Sequence, residues 1–406
     1  MLSIRAAIGQ LWPAFEPLGT ERVPLLAACG RVLACELRAS VPLPEFDHSA
    51  MDGYAVRHTE LAQDAWLPVH GEVRAGAAPQ PLAAGTAVRI MTGAALPAGA
   101  DTVVMQEHVE RSAERMRVVR VPGLGANVRR RGGERAEGDL LLRAGTALGP
   151  AEIGLLATQG TAEVEVQRQP RVAILPTGDE LRPLGAAPRA FSIADSNSYA
   201  LAAAVQQAGC IAVPLAIGRD DLPELTQRIR AGLEYDLLIT IGGVSVGDYD
   251  FVSEALRAVG VAVAFHKVAI KPGKPLLFGV HGRTPVIGLP GNPVSALVTF
   301  EVFVRPALRR MQGLQDAFDE LVEVVLAAPF AHKTGRTEFV RASVTYTSGQ
   351  WIARVHAAQS SAALTSLTGS TALVVLPSDQ AEFAAGERLS ALLVPAPRRS
   401  DTPFAE

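Results

Sequence analysis

The sequence predicts a multidomain α/β plus β protein, with a central doubly wound α/β domain and β-rich units before and after it. Three observations carry that prediction. The chain has 406 residues, where a single ordinary domain has roughly 100 to 200. From about Arg171 to Met311, apolar strand, turn and helix repeat in series, the pattern of a parallel sheet covered on both faces. On either side the apolar runs are short and separated by Gly and Pro, as in small β modules.

Taken in order, "MLSIRAAIGQLWPAFEPLG" carries apolar residues at helical spacing, interrupted by charge and proline. Between about Ala65 and Val121, "AVRIMTG" and "ADTVVMQEHVE" read as short strands. In the centre, "RVAILPTG" reads as a strand, "SNSYALAAAVQQAG" as a helix closing on glycine, and "IAVPLAIG" as a strand. "LPELTQRIRAGLE" follows as an amphipathic helix with Asp221 as its N-cap. "YDLLITIGG" and "YDFVSEALRAVG" repeat the pair, and "TPVIGLPG" and "NPVSALVTFEVFVRPALRRM" close the series. Further on, "RASVTYTSGQWIARVH" alternates around a Ser-Gly turn, which reads as a hairpin. "TALVVLP" and "RLSALLVP" are further strands, and "APRRSDTPFAE" reads as a frayed tail.

Composition narrows the function. Apolar residues make up 48% and charged residues 19%, with 38 basic against 41 acidic side chains, so no long-range field selects nucleic acid or a membrane. Cys29, Cys35 and Cys210 are widely spaced and lack a CxxC pattern, which argues against a disulfide framework or a structural zinc site and for a reduced, cytoplasmic setting. No stretch reaches the roughly 18 to 20 uncharged residues that span a bilayer, and no export signal is visible.

In an open parallel α/β sheet, ligands bind beyond the carboxyl ends of the strands, so the loops there are the candidate site. "PTGDEL" (176–181) contains Thr177, Gly178 and the adjacent acids Asp179 and Glu180. "IGGVSVGDYD" (241–250) contains Gly242, Gly243, Ser245, Asp248 and Asp250, and "HKVAIKPGKPLLFG" (266–279) contains Lys267, Lys271 and Lys274. "LPGNPVS" (289–295) runs from strand to helix, with Pro290 and Gly291 before Asn292 as N-cap and Pro293 as first helical residue. By itself the motif reads as a strand-to-helix corner; free amides at that helix start, approached closely at Gly291, would make it an anion site.

Gathered at one sheet edge, glycine amides with Lys271 and Lys274 would meet phosphate, and acids would meet a hard cation. Mg²⁺ takes oxygen ligands, usually one or two carboxylates plus substrate phosphate, and Asp179, Glu180, Asp220, Asp221, Asp248 and Asp250 can supply them. These residues indicate a phosphate-bearing substrate handled with Mg²⁺. No P-loop or dinucleotide fingerprint is present. In the N-terminal half, Asp52 before Gly53 and Thr92 before Gly93 read by themselves as turn residues, and Arg129 to Arg131 as solvated charge.

The motifs "SAMDGYAVR", "RIMTGA", "VVMQE", "NVRRRG", "TGDEL", "GGVSVGDYDF", "KPGKPL" and "LPGNPVSALVTF" occur in this order. Together they resemble the MoeA family of molybdopterin molybdenumtransferases, which includes the E domain of gephyrin; the resemblance runs from about residue 5 to 395. It implies a MogA-like doubly wound α/β domain (171–315), a β-rich N-terminal module (46–126), a discontinuous linker and dimerisation domain (1–45 and 127–170), and a small C-terminal β-barrel-like domain (316–406). It also implies a homodimer whose site lies between the α/β domain of one subunit and the N-terminal half of the other.

The implied reaction takes adenylylated molybdopterin and molybdate, and leaves molybdenum on the pterin dithiolene with cation-dependent release of AMP. By position, Asp52 and Thr92 match residues at the metal-insertion end, and Glu180, Asp220 and Asp250 match acids of the pterin or cation site. Lys267, Lys271 and Lys274 match contacts to phosphate or molybdate. Thr177, Gly178, Asp179, Gly242, Gly243, Ser245, Pro290, Gly291, Asn292 and Pro293 match the loops around nucleotide and pterin. Other cofactor-biosynthesis proteins or target molybdoenzymes are further partners.

The chain departs from the pattern at His48 (usually Asn), Glu134 (usually Asp) and Pro176 (often Ser). In "AQSSAALTSLTGS" the family's glycine-containing "QGSG" is missing at 360–362. Non-glycine residues keep a backbone farther from a ligand, so that loop is not counted among the site residues. Two alternative functions stand beside the enzyme: a non-catalytic molybdopterin-binding chaperone or scaffold that delivers cofactor, and a tungsten-inserting paralogue.

Overall fold

The computed structural model describes residues 1–243 and 251–394, so the tail read from "APRRSDTPFAE" lies outside the described residues. Two compact units emerge, one of residues 35–144 and 150–162, the other of residues 1–34, 145–149 and 163 onward. Among the described residues, no helix is long and apolar enough to cross a membrane.

In the smaller unit, six strands line up in the order Thr102–Met105, Gly53–Val56, Ala87–Ile90, Trp66–Val73, Arg115–Val118 and Val109–Ser112. Alternation along the strands sends Tyr54, Val56 and Val104 into one buried cluster and Ala55, Val88 and Val103 into another, so both faces are covered. The centre of the sheet is tight at Gly53, where a Cβ would lie 2.1 Å from the Val104 carbonyl oxygen. Glycine therefore follows Asp52 for a packing reason, and the acid emerges where a strand begins.

The larger unit holds the α/β sheet in the order Ile211–Pro214, Arg171–Pro176, Leu237–Ile241, Thr284–Leu289, Pro275–His281 and Ala262–Lys267. The first four strands are parallel, whereas Pro275–His281 runs antiparallel to both neighbours. The sheet is thus mixed rather than wholly parallel. The cause is local: His281 pairs with Thr284 across a two-residue Gly-Arg turn, with Gly282 at φ 59. Ala173, Leu175 and Leu238 face the helices Leu222–Gly232 and Phe251–Ala258, while Val172, Ile174 and Ile239 face a larger cluster on the other side.

That larger cluster takes in Leu201 and Val205 of the helix Asn197–Gln207 and Val294 and Val298 of the helix Pro293–Thr299. It also takes Ala7 and Leu11 of the helix Ile4–Leu11, capped by Ser3, whose hydroxyl accepts from the Ala6 amide at 3.2 Å. Asp221 caps its helix as the sequence predicts, accepting from the Glu224 amide at 2.9 Å.

Five strands close on themselves in the C-terminal part: Thr337–Thr347, Gln350–Val355, Val322–Leu326, Arg388–Leu393 and Ala372–Leu376, which pairs back to the first. The Ser-Gly hairpin is present, with Ser348 at φ 49 and Gly349 at φ 79, the positive values that a tight hairpin requires. Phe339, Leu373 and Leu392 of these strands join the core of the α/β sheet.

Gly53→Ala places a methyl group against backbone that cannot yield, and overpacking of this kind costs about 1–3 kcal/mol or more. Urea unfolding followed by intrinsic fluorescence is expected to show that loss, and an unchanged midpoint would contradict the packing argument.

Candidate functional site

Two neighbouring parallel strands end together, and Thr177 ties their ends. Its amide and its hydroxyl both donate to the Ile241 carbonyl, each at 3.0 Å. Gly242 follows at φ 87, its amide donating to the Leu289 carbonyl at 3.1 Å, and a Cβ there would stand 3.0 Å from the Thr177 carbonyl oxygen. Gly243, at φ 61, has room for no side chain, because a Cβ would lie 2.3 Å from Val252 Cγ2. Opposite, a Cβ on Gly291 would lie 3.6 Å from Gly242 Cα, so the two loops run almost backbone to backbone. A side chain at Gly242 would press on the Thr177 loop and one at Gly243 on Val252, and both backbones hold positive φ.

Between the loops lies a cleft of about 540 Å³. Thr177, Gly178, Glu180, Asp220, Gly242, Gly243, Pro290, Gly291, Asn292 and Pro293 all line it, so ten of the predicted residues meet on one surface. The Glu180 and Asp220 carboxylates are exposed there, and neither takes part in a hydrogen bond or ion pair among the described residues. Asp179 stands behind them, its carboxylate facing the Asp220 amide at 3.4 Å, while Asp221 is occupied as a cap. Ser245, Asp248 and Asp250 lie outside the described residues. Among the described residues, no three His, Cys, Asp or Glu side chains form a group that could hold a metal ion.

Two expectations need correction. The lysines do not line the cleft: Lys271 Nζ donates to the buried Glu338 carboxylate at 3.0 Å, Lys274 points to solvent, and Pro275 is the residue of that segment on the cleft wall. A buried carboxylate without a partner is costly, and Lys271 meets that need together with His332, whose Nδ1 lies 3.1 Å from the same oxygen. Lys267 is half-buried at the end of its strand.

The second correction concerns the helix start at Pro293. Asn292 occupies the N-cap position, yet its side chain caps nothing and its amide donates to Ser361 Oγ at 3.0 Å. Pro293 has no N–H, and the Val294 amide donates to the Ser361 carbonyl at 3.1 Å. One of the amides expected to await an anion, that of Val294, is thus already satisfied by the 358–366 loop. Ala362 of the same loop lines the cleft.

Other wall residues were absent from the sequence reading. Asp195, 4% exposed, accepts from the Ser198 amide at 3.1 Å and from the Ser198 hydroxyl, so it holds the first turn of the helix beginning at Asn197 from just before its N-cap, Ser196. Asn197 Nδ2 in turn donates to the Gly291 carbonyl at 2.6 Å. An Asp three residues before Ser198 is a local contact, but the contact with Gly291 joins residues far apart in the chain.

In the smaller unit, Asp52 Oδ1 accepts from the Thr92 amide at 2.7 Å and the Thr92 hydroxyl at 2.8 Å. The backbone bond first, then the hydroxyl, and beyond them the Arg89 charge hold the Asp52 carboxyl below the usual carboxylate range. Asp47 accepts from Arg130 Nη1 and from the Arg131 amide, both at 2.7 Å, so Arg130 is an ion-pair partner rather than free surface charge. His48 Nδ1 lies 3.2 Å from the Phe46 carbonyl, and Glu134 stands 4.0 Å from Arg129.

Comparison with known proteins agrees with this architecture. The MoeA N-terminal region (domain I and II) matches residues 2–160, a probable molybdopterin binding domain matches 173–310, and the MoeA C-terminal region (domain IV) matches 323–394. A molybdopterin molybdenumtransferase of Nostoc sp. is 38% identical over 388 residues, covering 93% of this chain and 89% of its own. One from Haemophilus influenzae is 41% identical over 300 residues, 73% of this chain and 74% of that one. Among solved structures, a molybdopterin biosynthesis moeA protein from Pyrococcus horikoshii superimposes with a TM-score of 0.84 at 30% identity, over 97% of this chain and 100% of that chain.

Thr92→Ala removes one of the two donors to Asp52. The Asp52 titration midpoint, followed by its carboxyl carbon shift, is expected to move up towards the ordinary value; an unmoved midpoint would show that the hydroxyl does not hold the charge. Because the native carboxyl is depressed, whatever stability this contact adds is present above the ordinary value and lost as pH falls through the lowered one.

Proposed function

Because the chain belongs to the molybdopterin molybdenumtransferase family, we propose that it inserts molybdenum from molybdate into adenylylated molybdopterin and releases AMP with the help of a divalent cation. The observation that carries this reading is the cleft itself, where three backbone-lined loops and two unpaired carboxylates face one space at the carboxyl ends of parallel strands. Its size suits a cofactor-sized ligand, since such sites span roughly 300 to 1,000 Å³. We further propose that the protein works as a cytoplasmic homodimer organised as the four parts 1–45 with 127–170, 46–126, 171–315 and 316–406.

The donor set fits Mg²⁺ or a similar hard cation. Glu180 and Asp220 offer carboxylate oxygens free of other partners, and Asp250 is the third acid of the reading. Such an ion would be held by these acids and would supply charge neutralisation at the phosphoanhydride. The backbone at Gly242, Gly243 and Gly291 lets the phosphate and pterin approach closely, and Asp195 and Asn197 fix that wall. Asp52, a carboxylate at neutral pH whose position is fixed by the two Thr92 bonds, can accept the proton of an attacking water, whereas molybdate would attack without one to give. Both substrates are anions and the sulfur ligands belong to the pterin, so the reaction calls for no cysteine or histidine metal site.

Purified protein supplied with adenylylated molybdopterin, Mg²⁺ and either molybdate or tungstate is expected to release AMP. Release with neither oxyanion would favour a chaperone or scaffold, and faster release with tungstate would favour a tungsten-inserting enzyme. Asp52→Asn is expected to bind adenylylated molybdopterin normally and to lose molybdate-dependent AMP release by roughly 10²- to 10⁴-fold, the usual worth of a general base. Normal release by that variant would remove Asp52 from the mechanism. For Glu180→Gln, the Mg²⁺ concentration giving half-maximal release is expected to rise, and an unaltered Mg²⁺ dependence would exclude Glu180 as a ligand.

A further inference from the structure

Arg341 sits in the strand Thr337–Thr347 at 0% exposure, and no carboxylate bonds to it among the described residues. Glu338, three residues earlier, is engaged by Lys271 and His332. Burial pushes the Arg341 guanidinium below its ordinary pKa, with the Glu338 charge opposing the shift. A buried cation without a counter-charge is expensive, so its neighbours show what it holds.

They all belong to one loop. Nε donates to Ser366 Oγ at 3.2 Å, and Nη2 donates to the carbonyls of Ser360 at 3.2 Å and Ala358 at 3.4 Å. The Arg341 amide donates to Gln359 Oε1 at 3.0 Å, and Gln359 Nε2 returns a bond to the Arg341 carbonyl at 2.9 Å. One residue beyond the held Ser360 carbonyl, Ser361 takes the Asn292 side-chain amide and the Val294 backbone amide. Next comes Ala362, on the cleft wall.

We propose that Arg341 is a positioning residue for the cleft: by holding the 358–366 loop it seats Ser361 on the start of the helix Pro293–Thr299 and sets the shape of the Pro290–Pro293 wall that receives the phosphate-bearing substrate. The proposal rests on the reading of this cleft as the substrate site. Arginine suits the task because its planar fork addresses two carbonyls and a hydroxyl at once, whereas a lysine ammonium is a single point of charge on a flexible stem.

The test uses the full-length protein with Arg341→Lys, Ser361→Ala, Asn292→Ala and the Ser361→Ala/Asn292→Ala double variant. Without any ligand, hydrogen exchange at the Val294 amide is expected to be slow in the wild type and clearly faster in Arg341→Lys. In turnover, each variant is expected to raise KM for adenylylated molybdopterin by roughly fivefold, about the worth of one net hydrogen bond, with kcat held within about twofold. The double variant is expected to lose no more than the worse single one, because the two side chains act as a pair.

Unchanged Val294 exchange, additive losses in the double variant, or a fall in kcat without a change in KM would each overturn the proposal. Should Arg341→Lys fail to fold, the cycle at Ser361 and Asn292, neither of which is buried, decides it. If the wild type binds or turns over no adenylylated molybdopterin, the functional reading fails. In that case exchange at Val294, in Arg341→Lys or in Ser361→Ala, still decides whether the loop seats the helix start.

Discussion

Thr177 bonding twice to the Ile241 carbonyl is the constraint on which the cleft depends. Two parallel strands end at the same level, and a single buried threonine joins the loops that leave them. The hydroxyl doubles the bond that the main chain makes between the loop at Gly178 and the loop at Gly242 and Gly243. With it, backbone rather than side chains forms the floor, and the Gly242 amide carries the connection on to Leu289 at the head of the third loop. The chemistry at the mouth, Glu180 and Asp220, is then presented by loops whose own paths are already fixed.

The third loop is held from outside the sheet as well. Asn197 takes the Gly291 carbonyl, and Ser361 takes both the Asn292 side chain and the Val294 amide. The two prolines that rigidify this corner also remove donors, so the groups still to be satisfied fall to partners far away in sequence. At a segment that looks like an anion-binding helix start, the Val294 amide is therefore taken by protein, and the proposed recognition of phosphate in this cleft would fall to the glycine loops and to a cation held by the acids.

Much of this was legible in the residues, and the rest was hidden for physical reasons. The strand and helix order from Arg171 to Met311, the Ser-Gly hairpin and the Asp221 cap depend on local pattern and local bonds, which sequence carries. The reversed strand Pro275–His281 escaped because its residues, within "HKVAIKPGKPLLFG", read as a loop around a Pro-Gly turn. Lys271 escaped because its partner, Glu338, is 67 residues away. The role of Ser361 escaped because its partners, Asn292 and Val294, lie far away in the chain. Asp52 carries a similar lesson: the glycine after it is set by the Val104 carbonyl, while the charge on the acid is set by Thr92.

The central claim is that the three loops at the strand ends hold the substrate, and hydrogen exchange with and without adenylylated molybdopterin tests it most directly. Slowed exchange concentrated in segments 176–181, 241–243 and 288–294 is the predicted result. Protection confined to other parts of the chain, with these three segments unaffected by bound ligand, would contradict the account.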